Sequence, residues 1–160
     1  MGQAPILYLE TSIFGFFTDA DPRNATHREA VERLFSQIDI AVQTASTSPL
    51  TVLELDRTPE PTRSRLLGLL TPVQLLEVDD AAVEELSQAY VRDGVVPEQY
   101  ADDARHVAYA VLGGAEVLVS MNLRHLANEW AERRLNAVST RLGHRAISIR
   151  TPAEVLKYED

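Results

Sequence analysis

Short apolar segments alternate along this chain with segments of helical periodicity, and this alternation restricts the fold more than any other feature. Five apolar runs of strand length predict the strands, at residues 6–10, 40–44, 73–78, 116–120 and 146–150. Strands that are joined through helices run parallel, and the helices then cover both faces of the sheet. We therefore expect an α/β protein with a central, mainly parallel sheet.

The segments between these strands carry helical spacing and helix-start signals. Residues 11–12 offer a cap to a first helix, and Ser48 followed by Pro49 is typical of a helix start. The sequence TPAE at residues 151–154 is a capping box. Further helices are predicted over residues 25–37, 57–70 (from Pro59 or Pro61), 79–93, 102–113 (from Asp102 or Asp103) and 130–142.

Length and composition restrict the class of protein. A chain of 160 residues, of which 45% are hydrophobic, suits one domain over residues 1–160. No apolar run approaches the roughly 20 residues of a membrane span. The N-terminus also lacks the basic region and apolar stretch of a signal peptide. We therefore expect a cytoplasmic protein that has no membrane-spanning segment.

Two kinds of metal site are excluded, and the charge bears on nucleic-acid binding. The chain has no cysteine, and none of its four histidines falls in a zinc-binding spacing. With 24 acidic and 15 basic residues, the formal net charge is −9. Non-specific nucleic-acid binding usually depends on a basic surface. A nuclease of this charge must group its arginines, offset phosphate repulsion with metal ions, or bind a basic partner.

Three carboxylates and an asparagine occupy strand ends or first helical turns. Glu10 ends the first strand, Glu54 lies one turn into a helix, Asp103 is at a helix start, and Asn122 follows the fourth strand. Ligands of open parallel sheets bind at the carboxyl ends of the strands, where these side chains can converge. Oxygen ligands of this kind suit Mg²⁺ or Mn²⁺, which can activate water for cleavage of a phosphodiester.

Each of these residues also has a simpler interpretation. Asp102 or Asp103 can be a helix cap, Glu54 a solvated helix residue, and Asn122 a turn residue. Ser12 and Ser120 can either hydrogen-bond the ligating carboxylates or act as ordinary caps. Two histidines, His106 and His125, are either phosphate or acid–base groups or packed and surface residues. The ordered set of four polar residues favours a site.

Four short motifs resemble the PIN-domain family, and within it the VapC-type ribonuclease toxins and their solitary relatives. They are YLETSI at residues 8–13, LEL at 53–55, DARHVAYA at 103–110 and VSMNLRH at 119–125. The resemblance implies a three-layer α/β/α domain that cleaves RNA with Mg²⁺ or Mn²⁺. It also implies a homodimer, an antitoxin protein as partner, and metal binding by Glu10, Glu54 and Asp103, with Asn122 assisting.

The sequence therefore predicts a divalent-metal-dependent endoribonuclease, with the toxin of a type II toxin–antitoxin pair as a candidate role. Two departures from the family pattern favour an alternative, a degenerate PIN domain that binds RNA or a protein without cutting. Glu10 stands where the family usually has aspartate, and Asn122 replaces a frequent fourth aspartate. A second alternative is an unrelated small α/β binding domain in which the acids are helix caps.

Overall fold

Five parallel strands form the sheet at the centre of the computed structural model, which describes residues 5–158. The spatial order is β3-β2-β1-β4-β5, so the first strand is the central one. Tyr8 in β1 is paired with Ser46 on one side and Leu118 on the other. The strands are β1 (Ile6–Leu9), β2 (Thr44–Thr47), β3 (Gln74–Leu75), β4 (Val117–Val119) and β5 (Ser148–Arg150).

Helices lie on both faces of this sheet, as expected for an α/β/α sandwich. The helices are α1 (Thr11–Phe17), α2 (Ala25–Asp39), α3 (Pro49–Asp56), α4 (Thr62–Gly68), α5 (Asp80–Arg92), α6 (Ala101–Leu112), α7 (Glu129–Arg141) and α8 (Pro152–Val155). Successive β1 residues point to opposite faces. Tyr8 packs in the core with α5, α6 and α7, whereas Leu7 and Leu9 pack in the core with α1, α2 and α8. The predicted three-layer fold is confirmed.

The second strand is the main error of the sequence prediction. Residues 40–44 were predicted as this strand, but β2 begins only at Thr44. Helix α2 continues to Asp39, and Ala41 then adopts a positive φ of 60° in a turn. Ile40 and Val42 are apolar but 71% and 39% exposed, so their hydrophobicity does not mark a buried strand. The third strand is also shorter than predicted, because only Gln74–Leu75 pairs with β2.

Two helix starts differ from the prediction in a way that bears on the site. Tyr100, and neither Asp102 nor Asp103, is the N-cap of α6, so both acids lie in its first turn. The N-cap of α1 is Glu10, because its carboxylate accepts a hydrogen bond from the Ser12 N–H group. The predicted capping box at residues 151–154 is confirmed.

The remaining predictions on organisation concern membranes and domain number. No helix within residues 5–158 is long and apolar enough to cross a bilayer. One domain over residues 1–160 stays a prediction, and its ends at residues 1–4 and 159–160 lie outside the described residues.

Candidate active site

Glu10 is a buried carboxylate at the carboxyl end of the central strand. Only 6% of its surface is exposed, because β1 is covered by helices on both faces. Its Oε2 accepts a hydrogen bond from the Ser12 N–H group at 2.9 Å. Its Oε1 accepts from the Ser12 and Ser120 hydroxyls, each at 2.6 Å. All three donors are uncharged, so they orient the carboxylate without neutralising it.

A chain of hydrogen bonds joins Glu10 to Asp103 across the edge of the sheet. The Ser120 hydroxyl that donates to Glu10 also accepts from the Asn122 N–H group at 2.9 Å. The Asn122 side chain then donates from Nδ2 to Asp103 Oδ2 at 3.1 Å. Three of the four predicted site residues are therefore linked, although they come from the residue after β1, from α6 and from the loop after β4.

Burial raises the pKa of the Asp103 carboxyl group, and the negative charge of Glu10 raises it further. The charge of His106 and the hydrogen bond from Asn122 oppose this rise, but the net shift is upward. The neighbouring Asp102 is instead exposed and paired with Arg105, with Oδ1 and Nη1 2.8 Å apart. Asp103 is thus the acid of this pair that lies beside Glu10 and Asn122.

Glu54, the fourth predicted residue, is bound to a different set of partners. Its Oε1 lies 2.6 Å from His106 Nε2 and accepts from the Thr11 hydroxyl at 2.9 Å. Burial alone would raise the pKa of Glu54, but the hydrogen bond and positive charge of His106 lower it overall. Glu54 lies close to the site, because Thr11 is next to Glu10 in the chain, but its carboxylate is directed to the histidine.

Behind Glu54 lies a buried polar network that the sequence patterns do not predict. His106 is 1% exposed, and its Nδ1 lies 2.7 Å from the Tyr8 hydroxyl, which is also hydrogen-bonded to Ser48. Burial lowers the pKa of His106, but interactions with Tyr8 and Glu54 raise it to about 10. The signal in the sequence is a tyrosine two residues before Glu10 and a histidine three residues after Asp103.

Comparison with known families gives a match over most of the chain. The family model for the PIN domain matches residues 7–128, which include all four predicted site residues. The chain belongs to the PIN domain family. PIN domains are generally nucleases, and they generally use divalent metal ions. The matched residues run from the central strand to the loop before α7.

A solved structure shares the fold of this PIN domain. It is a chain of the crystal structure of VapBC2 from Rickettsia felis bound to a DNA fragment from the promoter of these proteins. The TM-score is 0.56 at 15% sequence identity, and the match covers 91% of this chain and 98% of that chain. No curated protein sequence matches the chain.

The carboxylate oxygens at this site meet some of the requirements of a hard divalent cation. The Glu10 carboxylate is buried and that of Asp103 half-buried, and their negative charges repel each other, so a cation between them would relieve that repulsion. Mg²⁺ keeps several waters and needs only one or two carboxylates. Within residues 5–158, however, no group of three or more acidic or histidine side chains is placed to hold a metal ion. The role of Glu54 as a third ligand stays a prediction.

Ser120→Ala tests whether the hydrogen-bonded chain stabilises the fold. The variant removes one donor to the buried Glu10 carboxylate and the acceptor of the Asn122 N–H group. We expect the free energy of unfolding to fall by about 1–3 kcal/mol, measured by urea denaturation in EDTA. Ser87→Ala is the control, because Ser87 is equally buried but donates only to a backbone carbonyl of its own helix. Equal losses in the two variants would contradict the special role of Ser120.

Proposed function

We propose that this PIN domain is a divalent-metal-dependent endoribonuclease that hydrolyses RNA phosphodiester bonds. The observation that carries the proposal is the linked pair of carboxylates at the carboxyl edge of a parallel sheet, the buried Glu10 and the half-buried Asp103. A structural protein has little reason to place two carboxylates side by side there, because like charges at buried and half-buried positions repel each other and cost free energy. A metal-binding nuclease needs such a pair.

The proposed roles follow from the contacts. Glu10 and Asp103 would bind Mg²⁺ or Mn²⁺, and a bound ion of this kind supplies Lewis acidity and an activated water. Ser12 and Ser120 hold the Glu10 carboxylate in one orientation through three hydrogen bonds. Asn122 fixes the Asp103 carboxylate. Glu54 would orient water close to the ion, either as a ligand or through a hydrogen bond.

We also propose that the protein acts in the cytoplasm with a protein partner, as the toxin of a toxin–antitoxin pair. The fold match to a chain of the VapBC2 complex supports this assignment. The net charge of −9 would favour an antitoxin with a basic binding segment, by electrostatic attraction. A homodimer of one-domain subunits is part of the same proposal.

A second function is favoured by one observation. The Glu54 carboxylate is bound to His106 and Thr11, and it does not join Glu10 and Asp103. In a PIN domain that binds RNA or a protein without cutting, Glu54 would stay bound to His106 and Thr11 even when divalent ions are present. The two functions differ in their response to divalent ions, because only the nuclease cleaves when they are added.

The deciding experiment is cleavage of a panel of structured and single-stranded RNAs with Mn²⁺, Mg²⁺ or EDTA. We expect internal cuts with either metal ion and none with EDTA. Glu10→Gln keeps one of the two acceptor oxygens, replaces the other with an NH₂ donor and removes the charge, so it should lose the metal-dependent cuts. Glu129→Gln is the control, since Glu129 is exposed on α7 and should leave cleavage unchanged. Folded wild-type protein that cuts none of the RNAs would leave the binding function as the better account.

A further inference from the structure

An aromatic pair lies beside the candidate site and has no part in the metal-binding roles. The rings of Tyr100 and His125 face each other with centroids 4.4 Å apart and planes inclined by 33°. Tyr100 remains 38% exposed although His125 lies against it. A large ring that stays exposed in this way presents apolar surface to whatever binds at the site.

The backbone attaches this pair to the two segments that supply Asp103 and Asn122. Tyr100 is the N-cap of α6, three residues before Asp103. The N–H group of His125 donates to Asn122 Oδ1 at 3.1 Å, while Nδ2 of the same side chain donates to Asp103. The pair therefore connects the same two segments that the Asn122–Asp103 hydrogen bond connects, and it borders the site.

An exposed aromatic ring at the border of a nuclease site suits a nucleobase. Base–aromatic stacking contributes to the binding of single strands and needs no particular base sequence. It would matter more here than in a basic protein, because a net charge of −9 gives little general attraction for phosphates. Bases within a duplex have both faces covered by their neighbours, so only an unpaired base can stack on such a ring.

We propose that Tyr100, supported by His125, is a stacking platform for one unpaired base next to the phosphodiester that lies at Glu10 and Asp103. This inference rests on the proposed ribonuclease function for the identity of the ligand. Tyr100 acts as a positioning residue, because it contacts the base and not the reacting phosphate.

The test uses single-stranded RNA oligonucleotides that carry 2-aminopurine at each position in turn, in EDTA and in Ca²⁺. Stacking of 2-aminopurine on an aromatic ring quenches its fluorescence, so the readout does not depend on cleavage. We expect the wild-type protein to quench the probe at one or two positions. Tyr100→Leu should lose that quenching and bind about tenfold more weakly, whereas Tyr100→Phe should keep both.

Two further variants separate stacking from a structural role. Tyr158→Leu is the control, because Tyr158 is exposed but packs on Arg33, and it should bind within about twofold of wild type. Tyr100→Trp should bind as tightly as wild type or more tightly, since indole stacks well. If Tyr100→Leu does not fold, the test of the platform is Tyr100→Trp. A folded Tyr100→Trp protein that does not quench 2-aminopurine fluorescence would overturn the platform.

The outcomes also separate this inference from the proposed function. Quenching that depends on Tyr100, without any cleavage in Mn²⁺, would support the platform and overturn the nuclease. Metal-dependent cleavage without quenching in either buffer would overturn the platform and leave the nuclease intact. Binding by Tyr100→Leu that equals wild-type binding would likewise overturn the platform.

Discussion

Asp103→Asn should abolish metal-dependent cleavage and at the same time make the metal-free protein more stable. We expect the cleavage rate in Mn²⁺ to fall by at least about 100-fold, since a bound metal ion supplies several kcal/mol of charge stabilisation. In EDTA at pH 7 the free energy of unfolding should rise by about 1 kcal/mol, a size common when a functional residue is neutralised.

The structural reason is the environment of Asp103. Burial and the negative charge of Glu10 raise the pKa of this carboxyl group, so its ionised form is disfavoured in the folded protein. Asparagine has almost the same shape and no charge. Its Oδ1 can still accept the hydrogen bond that Asn122 donates. The variant therefore removes the repulsion without breaking the chain of hydrogen bonds.

Asp102→Asn is the matched control, because it changes the adjacent residue in the same first turn of α6. Asp102 is exposed and paired with Arg105, and exposed ion pairs contribute less than about 1 kcal/mol. Cleavage should stay within about twofold of wild type. Mn²⁺ should raise the melting temperature of this variant and of wild type, but not that of Asp103→Asn. A stability loss in Asp103→Asn, or cleavage at the wild-type rate, would refute the assigned role.

Stability should depend on alkaline pH through His106. The pKa of this histidine is raised from 6.5 to about 10 in the folded protein. The imidazole therefore binds its second proton more tightly in the folded protein than in the unfolded chain. A raised pKa contributes stability that is complete below pH 6.5 and lost as the pH rises through about 10. We expect the free energy of unfolding to fall by about 2–4 kcal/mol between pH 6.5 and about pH 9.5.

His106→Gln should flatten this pH profile. Glutamine keeps an N–H donor for Glu54 but does not titrate, and the variant should be less stable than wild type by about 2–4 kcal/mol at pH 6.5. His27→Gln is the control, because His27 is exposed on the first turn of α2, and it should keep the wild-type slope. The measurement is urea unfolding at closely spaced pH values in EDTA. A profile that is equally steep in His106→Gln would show that other groups cause the loss.

The sequence was sufficient for the fold where burial and hydrophobicity agree. The first and fourth strands are apolar and covered on both faces, so the apolar runs at residues 6–10 and 116–120 locate them. The second strand was misplaced because Ile40 and Val42 are apolar but exposed after the end of α2. Single-sequence patterns cannot distinguish an apolar residue in a turn from one in a buried strand.

The sequence predicts which residues of the candidate site lie close together, but not how their side chains are oriented. Parallel strands bring their carboxyl ends together, so the proximity of Glu10, Asp103 and Asn122 follows from their positions at strand ends and helix starts. The orientation of Glu54 depends on a partner 52 residues away, His106, and on rotamers that no local pattern encodes. The Tyr100–His125 contact likewise joins two segments whose distance is set by the whole sheet.

The central strand has only four residues, and they face alternate sides without a gap. Leu7 and Leu9 fill one core, Tyr8 fills the other, and Glu10 follows at once. An insertion or deletion of one residue between positions 7 and 10 would exchange the two faces and turn the carboxylate away from Ser120. During evolution this segment should therefore accept substitutions but no change of length, whereas the surface loops remain free to grow or shrink.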